Sequence, residues 1–488
     1  MSLIKDVKSD LEDDKVGKGA SARALLKLVS IGRASKTEDF TRILNARSTK
    51  EIRGQLMDLL GAVQTKQSHE AFKKTLNFTN DEDFNDIERY LQSIAVGVRP
   101  EESIIRDLIS VLSSDELNNE KLRDTLVQTV ASMSQRFAHK TNEDFESHIV
   151  VEVKNFLMKS MNKCETDECK VVYVRGLQNL QSPDTIEKLF SLALNFPYQI
   201  SVAAVKALKK FPASQFAPEA KGKLFSIFYQ RGKKFDSSAR TLALDILLTF
   251  RLENDDVAEL VSFLKSGDSA YEIKQYLIQK LKMSAEKCLQ FNEMLQIALA
   301  KDPQVNNWNV YGGLKGLSSV LVRKFSQQPS FNGSLFSVQE MKGGVLKRGN
   351  VDLMLRSGDE EISLFSLGIF AGGLSSFISS SDQESVDPDE DTTATAGMEL
   401  SIQGVQMRPL IFFSGQGELM GHVWSGTASE PTTAYKGVTL LQDHRQVISL
   451  NNGFLLDFST LGAFSVDLNG KIEISLWHKN ANSEVIQK

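Results

Sequence analysis

The sequence predicts a multidomain α+β chain in which an α-helical solenoid, a two-layer helical arch, is followed by largely antiparallel β-sheets. Three observations carry this expectation. Apolar residues recur at i, i+3, i+4 and i+7 from about Ser21 to Asp302, the helical period. Three amphipathic units beginning at Tyr198, Asp236 and Asp268 follow one another at roughly the length of a helical-hairpin repeat. After Pro303 glycine becomes frequent, and the apolar pattern shortens to strand-length runs bounded by Gly, Asn and Ser.

Residues 1–20 read as a flexible lead-in and 21–305 as the helical domain. Within it, Ile52, Leu56, Leu59, Leu60 and Val63 make one apolar face. Ile104, Ile105, Leu108, Ile109, Val111 and Leu112 make another just after Pro100, and Leu122, Leu126, Val130 and Met133 a third. Ser48-x-x-Glu51 has the form of a capping box, Asn80, Asn142, Asp236 and Asp268 are N-cap candidates, and Ser182-Pro183-Asp184 separates two helices. One amphipathic hairpin cannot bury its own face, whereas stacked hairpins form a curved two-layer solenoid. Arg240 lies in ARTLALDILL, with Asp245 badly placed at i+5 for a pair on the same helix. An exposed Arg240 is the favoured reading, and a buried pair with another helix is the alternative.

Residues 306–333 read as a linker and 334–488 as a β-sheet region. Candidate strands are Ser334–Met341, Asn350–Arg356, Glu361–Ala371, Met398–Met407, Pro409–Ser414, Lys436–Asp443, Gln446–Asn452, Gly453–Ser459, Gly462–Gly470 and Lys471–Lys479. Leu468-Asn469-Gly470-Lys471 carries the Asn-Gly signal of a tight hairpin. In the last strand Ile472, Ile474 and Leu476 alternate with polar residues, as on a sheet with one apolar face. LIFF and GFLLDF are apolar on both faces, which predicts cover on both sides. Between them and the earlier strands, 379–397 holds six acids, no base and almost no apolar side chain, and reads as a disordered acidic loop. A calcium loop is the alternative there, without the D-x-[DN]-x-[DN]-G pattern.

Composition narrows the function. A net charge of −5 with both signs interspersed leaves no basic stripe for nucleic acid. No apolar run reaches the roughly 20 residues of a membrane span. Phe outnumbers Tyr and Trp, 28 against 8 and 3, which suits surfaces that meet only hydrocarbon or a Phe-rich core. His69, His139, His148, His422, His444 and His478 form no helical metal-ligand pair, and neither a G-x-S-x-G elbow nor a phosphate loop occurs. Gly415-Gln-Gly417 is too widely spaced from Gly421 for a dinucleotide loop and lacks βαβ surroundings. Asp443-His444 has no nucleophile motif beside it. The expectation is a binding protein with no catalytic residue, cofactor or metal. Cys164 and Cys169, in KCETDEC, are free thiols or a local disulfide, and Cys288 stands alone. Asn77 (NFT) and Asn332 (NGS) match the glycosylation acceptor pattern, whereas MSLIKDVKSDLEDD has none of the features of a signal peptide.

The order of a helical solenoid and then Gly-punctuated apolar strands resembles the large lipid transfer proteins. This vitellogenin-like superfamily includes apolipophorins, apolipoprotein B and the microsomal triglyceride transfer protein large subunits. The resemblance is closest to the last group. It rests on GGVLKRGNVDLML (Gly343–Leu355), GMELSIQGVQMRPLIFFSGQGELM (Gly397–Met420), YKGVTLLQDHRQVISLNNG (Tyr435–Gly453) and GKIEISLWHK (Gly470–Lys479). In the solenoid it rests on the Cys164/Cys169 region followed by VRGLQNLQSPDTI (Val174–Ile186).

It implies a Cys164–Cys169 disulfide and sheets that form part of a lipid cavity. It also implies transfer of triglyceride, other neutral lipids and phospholipid between membranes and nascent lipoprotein, with transient membrane contact. The partners implied are a protein disulfide isomerase subunit and an apolipoprotein B-like or apolipophorin-like lipoprotein, in the endoplasmic reticulum lumen. Cavity-lining candidates are Leu364, Phe365, Ile369, Phe370, Leu410, Ile411, Phe412, Phe413, Leu455, Phe458, Ile472, Ile474 and Leu476. The family's amino-terminal barrel, signal peptide and carboxy-terminal end have no counterpart, so an internal fragment, truncated isoform or partial gene model is expected, poorly soluble and weak in lipid transfer alone. Vitellogenin-like lipid storage and a cytosolic helical scaffold are the rival readings.

Overall fold

The computed structural model describes residues 2–114, 117–141, 144–302, 304–305, 318–328, 331–342, 345–357, 360–372, 394–415, 432–475 and 480–487. After a short α1 (Ser2–Val7), the helices alternate between two layers. One layer holds α2 (Gly19–Gly32), α4 (Arg53–Val63), α6 (Phe84–Ala95), α8 (Glu120–Thr141), α10 (Asp167–Leu180), α12 (Tyr198–Leu208), α14 (Ser237–Leu247) and α16 (Tyr271–Lys287), each packed on the next. The other holds α3 (Thr37–Leu44), α5 (Lys66–Thr75), α7 (Glu102–Ser113), α9 (His148–Lys163), α11 (Ile186–Asn195), α13 (Ala220–Phe228), α15 (Asn254–Ser262) and α17 (Leu289–Lys301). Together they form the stacked array that the helical period predicts.

The layers differ in burial. On α7 only Ile104, Ile105, Leu108, Ile109 and Leu112 are buried, the stripe of an amphipathic surface helix. Gln55–Val63 of α4 and all of α14 are buried. Such helices have neighbours on every side: the outer helices behind them and the β-sheets in front.

Polar side chains in this enclosed layer find partners about one repeat away. Arg89 meets Asp58 at 2.6 Å, and Asp245 takes Lys209 at 2.7 Å and Lys280 at 2.9 Å. Arg240 overturns its favoured reading. It is 2% exposed, pairs with Asp268 at 2.7 Å, and donates from Nε to the Phe228 carbonyl at 2.8 Å. The sequence separation of 28 between Arg240 and Asp268 hides the pair from any same-helix count.

Asp236 caps α14 as expected, by accepting from Ser238 N–H. Asn80 instead caps a 3-10 turn, and Asp268 accepts from Ala270 N–H just ahead of α16. Ser48 and Glu51 lie inside the 3-10 helix Arg47–Ile52, with α4 starting only at Arg53. Asn142 lies outside the described residues.

The 1–20 segment is folded, not a free lead-in. Ile4, Val7, Leu11 and Val16 are 6%, 2%, 2% and 1% exposed and belong to the main core. Their spacing is itself helical, so α1 and the following turns have an apolar face to bury.

The first sheet runs β1 (Ser319–Gln328), β2 (Phe331–Lys342), β3 (Val345–Ser357), β4 (Glu360–Gly372), β5 (Thr395–Ile402) and β6 (Val405–Gln406) in sequence order, all antiparallel, with β7 (Leu410–Ser414) also paired to β5. The second is β8 (Thr432–Ser449), β9 (Leu455–Ser475) and β10 (Asn480–Gln487), with β9 central.

Several boundaries move. The 306–333 segment contains β1 and the start of β2, so it is not only a linker; 306–317 lie outside the described residues. Thr395–Gly397, at the end of the expected acidic loop, belong to β5, and 379–393 lie outside the described residues. Met398–Met407 is split by a turn in which Gln403 has φ 50° and Gly404 φ 81°, the signature of a tight hairpin. Asn469-Gly470 is no turn. Both residues lie inside β9, paired with Thr433 and Thr432 on one side and with Ile486 and Val485 on the other. With neighbours on both edges, their backbone groups go into ladders.

Arg240→Ala should lower unfolding free energy by about 3–5 kcal/mol, the cost of leaving a buried ion-pair partner alone. Chemical denaturation followed by circular dichroism measures it; a loss under about 1 kcal/mol would refute the buried-pair assignment.

Candidate functional site

The first sheet has two chemically opposite faces, and its register defines them. Residues paired across strands share a face. Phe365 pairs with Leu353 and Ile402, Leu367 with Val351 and Leu400, and Ile369 with Gly349 and Met398. The alternate set is Ser366 with Asp352 and Ser401, Gly368 with Asn350 and Glu399, and Phe370 with Arg348 and Gly397. The alternation of FSLGIF and MELSI thus writes one apolar and one polar face.

Across β3–β5 the polar face lies against the enclosed helical layer, whereas β1 and β2 turn Val320, Phe336 and Val338 toward the helical core on that side. Lys347 pairs with Asp236, and Lys206 with Glu399. Glu340 accepts from Arg348 Nε at 3.3 Å and from Thr241 Oγ1 at 3.1 Å. Burial pushes the Glu340 carboxyl up, opposed by Arg348. Arg408 reaches Glu88 at 2.8 Å. Asn179 bridges α10 and β6, donating to the Gln406 carbonyl at 2.9 Å and accepting from Gln406 N–H at 2.8 Å. Between these contacts is a cavity of about 1410 Å³. Charged and polar residues are the more numerous in its lining, but most of its exposed wall is apolar, with Val202, Met354, Phe370, Leu410 and Ile411 among the apolar side chains.

The opposite face is apolar and meets the second sheet. Met398, Leu400, Ile402, Val405 and Met407 cluster with Tyr435, Val466 and Leu468, and with Ala95 and Val96 from the end of α6. Phe365, Leu367, Leu410, Phe412 and Phe464 pack partly against them. Gly470 owes its identity to this seam: a Cβ there would stand 3.0 Å from Met398 Cε and 3.2 Å from Phe412 Cζ.

Away from the seam the face opens. Leu321, Ser337, Val351, Leu367 and Leu400 form one row across the strands. Exposure along it falls from 61% at Leu321 through 37% at Val351 to 4% at Leu400. β10 comes near β3 from the far side. The result is an apolar trough between two sheets, open along β1.

Charge fixes the second sheet to the arch. Asp443 takes Arg33 at 2.5 Å and Arg99 at 2.9 Å. Asp58 accepts from Val438 N–H at 2.9 Å, and Ser465 Oγ accepts from Gly17 N–H at 2.7 Å. Burial raises the Asp443 carboxyl, but the Arg99 and Arg33 guanidiniums outweigh it and hold the group below the usual carboxylate range.

The thirteen lining candidates fall into different places. Phe365, Leu410 and Phe412 are at the seam and Ile369 shares its face. Phe370 and Ile411 line the cavity against the helices, and Ile369 and Leu410 reach it as well. Leu364 sits at a β-bulge, its carbonyl accepting from Gln403 N–H. Phe413 is 1% exposed, with no surface left for a ligand. Leu455 and Phe458 are 68% and 54% exposed on the β8–β9 hairpin, which overturns the expectation that GFLLDF is covered on both sides; this tip projects beyond both sheets' packing partners. Ile472 and Ile474 pair with Ser483 and Ala481, and Leu476 lies outside the described residues.

Sequence reading missed Val351, Leu353, Leu367, Met398 and Leu400, although period-2 alternation in DLMLR and MELSI marks them. Cys164, at the end of α9, and Cys169, in the first turn of α10, form a disulfide. Asn77 and Asn332 are exposed, after α5 and on β2. Among the described residues no group of three or more His, Cys, Asp or Glu side chains could hold a metal ion, and no helix is long and apolar enough to cross a membrane.

Comparison with known proteins places this architecture. The family model of the vitellogenin TPR domain matches residues 1–280, and that of the microsomal triglyceride transfer protein large subunit lipid-binding domain matches 298–488. A solved lipovitellin structure superposes on 97% of this chain and 50% of its own with a TM-score of 0.68 at 13% identity, a likeness of fold. These matches define a vitellogenin-type protein with a lipid-binding sheet domain.

The microsomal triacylglycerol transfer protein of Drosophila melanogaster is 42% identical over 98% of this chain and 54% of its own length. The human microsomal triglyceride transfer protein large subunit is 26% identical over 99% and 53%. The chain belongs to the family of microsomal triglyceride transfer protein large subunits. It spans about half the length of the curated relatives it matches.

Two expectations follow from the geometry. A depressed carboxylate pKa gives stability that is present above the usual value and lost as pH falls through the folded one. Backbone amides of β8 near Val438–Asp443 should therefore lose hydrogen-exchange protection below about pH 4, and Asp443→Asn should show that loss already at neutral pH. Identical protection in the variant would sever Asp443 from docking of the second sheet. Gly470→Val should cost about 1–3 kcal/mol by overpacking the seam, measured by thermal unfolding; an unchanged midpoint would show the seam to be loose.

Proposed function

We propose that this chain carries neutral lipid, triglyceride foremost, and phospholipid between membranes and nascent lipoprotein, by binding and without chemistry. The observation that carries the reading is the row Leu321, Val351, Leu367 and Leu400, interrupted by Ser337, whose apolar members grade from open to buried between two sheets. Burial of each acyl CH2 stabilises by roughly 0.8 kcal/mol, so such a trough can hold lipid without a polar anchor. The match to a lipid-binding domain over 298–488 supports the same reading.

The setting is the endoplasmic reticulum lumen. The Cys164–Cys169 disulfide supports an oxidising compartment and disfavours a cytosolic scaffold. Several relatives are named large subunits, which supports a heterodimer; the family resemblance points to a protein disulfide isomerase as the second subunit. The lipoprotein client is of the apolipoprotein B or apolipophorin kind, reached through transient membrane contact.

Leu321→Ser with Val351→Ser alters the open rim of the trough, where little packing is lost. Transfer of fluorescent triglyceride from donor to acceptor vesicles by the intact protein should fall several-fold, while unfolding free energy changes by less than about 1 kcal/mol. Unchanged transfer would remove the trough from the lipid path. Tight loading without delivery to acceptor vesicles would favour lipid storage instead.

A further inference from the structure

Most cations around the cavity between the arch and the first sheet are paired, but among the described residues Arg136 and Lys210 are not. Arg136 and Lys210 reach the Gln403-Gly404 turn, and Arg175 and Lys206 line the same cavity as the turn. Arg136 on α8 leaves Nε buried with no hydrogen-bond partner, and its Nη2 reaches the Gln403 carbonyl at 3.4 Å. Lys210, just past α12, reaches the Gly404 carbonyl at 3.4 Å. Among the described residues neither has a carboxylate within ion-pair distance. Arg175 comes no nearer to Asp124 than 3.6 Å, and Lys206 pairs with Glu399. These four cations thus share three nearby carboxylates, Asp124, Glu399 and Asp352, none of them within ion-pair distance of Arg136 or Lys210 among the described residues.

The physical penalty is visible at each group. Burial pushes Arg136 down to about 10 and lowers Lys210, which Asp352 only partly offsets. Burial, and then the neighbouring Arg175, Lys210 and Arg348, hold the Lys206 ammonium well below its ordinary value. Partial burial of a charge without a counter-charge is unfavourable. Among the described residues, Arg136 and Lys210 hydrogen-bond only to backbone carbonyls of the turn, at 3.4 Å each.

The surroundings suit an amphiphile. Arg175, Lys206 and Lys210 face the cavity, as do Gln403 and Gly404 of the turn. Phe370, Leu410 and Ile411 provide apolar wall in the same space. Guanidinium and ammonium groups set around a polar turn are the donors that phosphate oxygens take.

We propose that this cavity receives a phosphate group, that of a phospholipid headgroup, at Arg175, Lys206 and Lys210, with Arg136 adding positive potential through the turn. This rests on the lipid-handling reading and adds a headgroup site on the face of the sheet opposite the apolar trough. Phospholipid and neutral lipid would then be held by different surfaces of one sheet.

The test uses the intact protein, vesicles of phosphatidylcholine carrying a few per cent triolein, and Lys210→Met and Arg136→Met as separate variants. The phospholipid-to-triglyceride ratio bound should fall about tenfold in Lys210→Met, the loss that one charge-assisted hydrogen bond carries, and Lys210→Arg should restore it. Both methionine variants should unfold no earlier than the unsubstituted protein in phosphate-free buffer. Inorganic phosphate should raise the unfolding midpoint of the unsubstituted protein but not of Lys210→Met. That readout needs no lipid uptake, so it stands even where the lipid-transfer reading fails. A midpoint that responds to phosphate while the lipid ratio stays fixed keeps the site and assigns it to the free ion. Equal ratios and equal midpoints in all three proteins would overturn the proposal, as would early unfolding of both methionine variants without phosphate, which would make the cations structural.

Discussion

A helix layer covered on both sides can keep polar side chains only if each finds a partner inside the protein. That constraint organises this chain. Asp58 serves Arg89 of the next repeat and Val438 N–H of the second sheet. Asp245 serves Lys209, Lys280 and Tyr276. Burial alone would raise the Asp245 carboxyl, but Lys209 and Lys280 hold it far below the usual range. Asp236 and Glu340 tie α14 to β2 and β3. The arch and the sheets share one polar network, so neither is complete without the other.

The consequence reaches the sheet. An antiparallel sheet on a helical layer ordinarily turns its apolar face inward and its polar face to water. Here Arg348, Asn350, Asp352, Glu399 and Ser401 face the helices, and Val351, Leu353, Phe365, Leu367 and Leu400 face away. A sheet inverted in this way is unfavourable unless apolar material covers its outer face. The second sheet does so at Met398, Leu400 and Leu468, and the cover thins toward Val351 and Leu321. Under the function proposed above, lipid is the apolar material that completes it.

Much of this was legible in the sequence. The 3.6-residue period marked the arch because one stripe per helix had to be buried, and β2, β3 and β4 showed in their alternation. The departures share a cause: each depends on a partner distant along the chain. Arg240 reads as exposed until Asp268 is placed beside it. Asn469-Gly470 reads as a turn until strands are paired on both its edges, where Gly470 answers to Met398 and Phe412. LIFF has no period, so Phe412 at the seam, Ile411 in the cavity against the helices and Phe413 in the core could not be told apart. The inverted sheet was hidden for the same reason: alternation shows that two faces differ, not which of them meets the helices.

Stability and lipid handling then draw on the same free energy. The rim at Leu321 and Val351 and the tip at Val447, Phe454 and Leu455 leave large apolar side chains in water. Covering them would stabilise by roughly 25 cal/mol for each Å² removed from water. A ligand that binds only the folded chain adds to stability in proportion to the logarithm of its concentration over its dissociation constant. Under the function proposed above, lipid in the trough would therefore strengthen the fold that holds it. Filling the trough with protein side chains would give that stability permanently and leave nothing for lipid to add. Retaining the open row from Leu321 to Leu367 keeps part of the core exchangeable, and this is what a carrier needs in order both to take up its load and to release it.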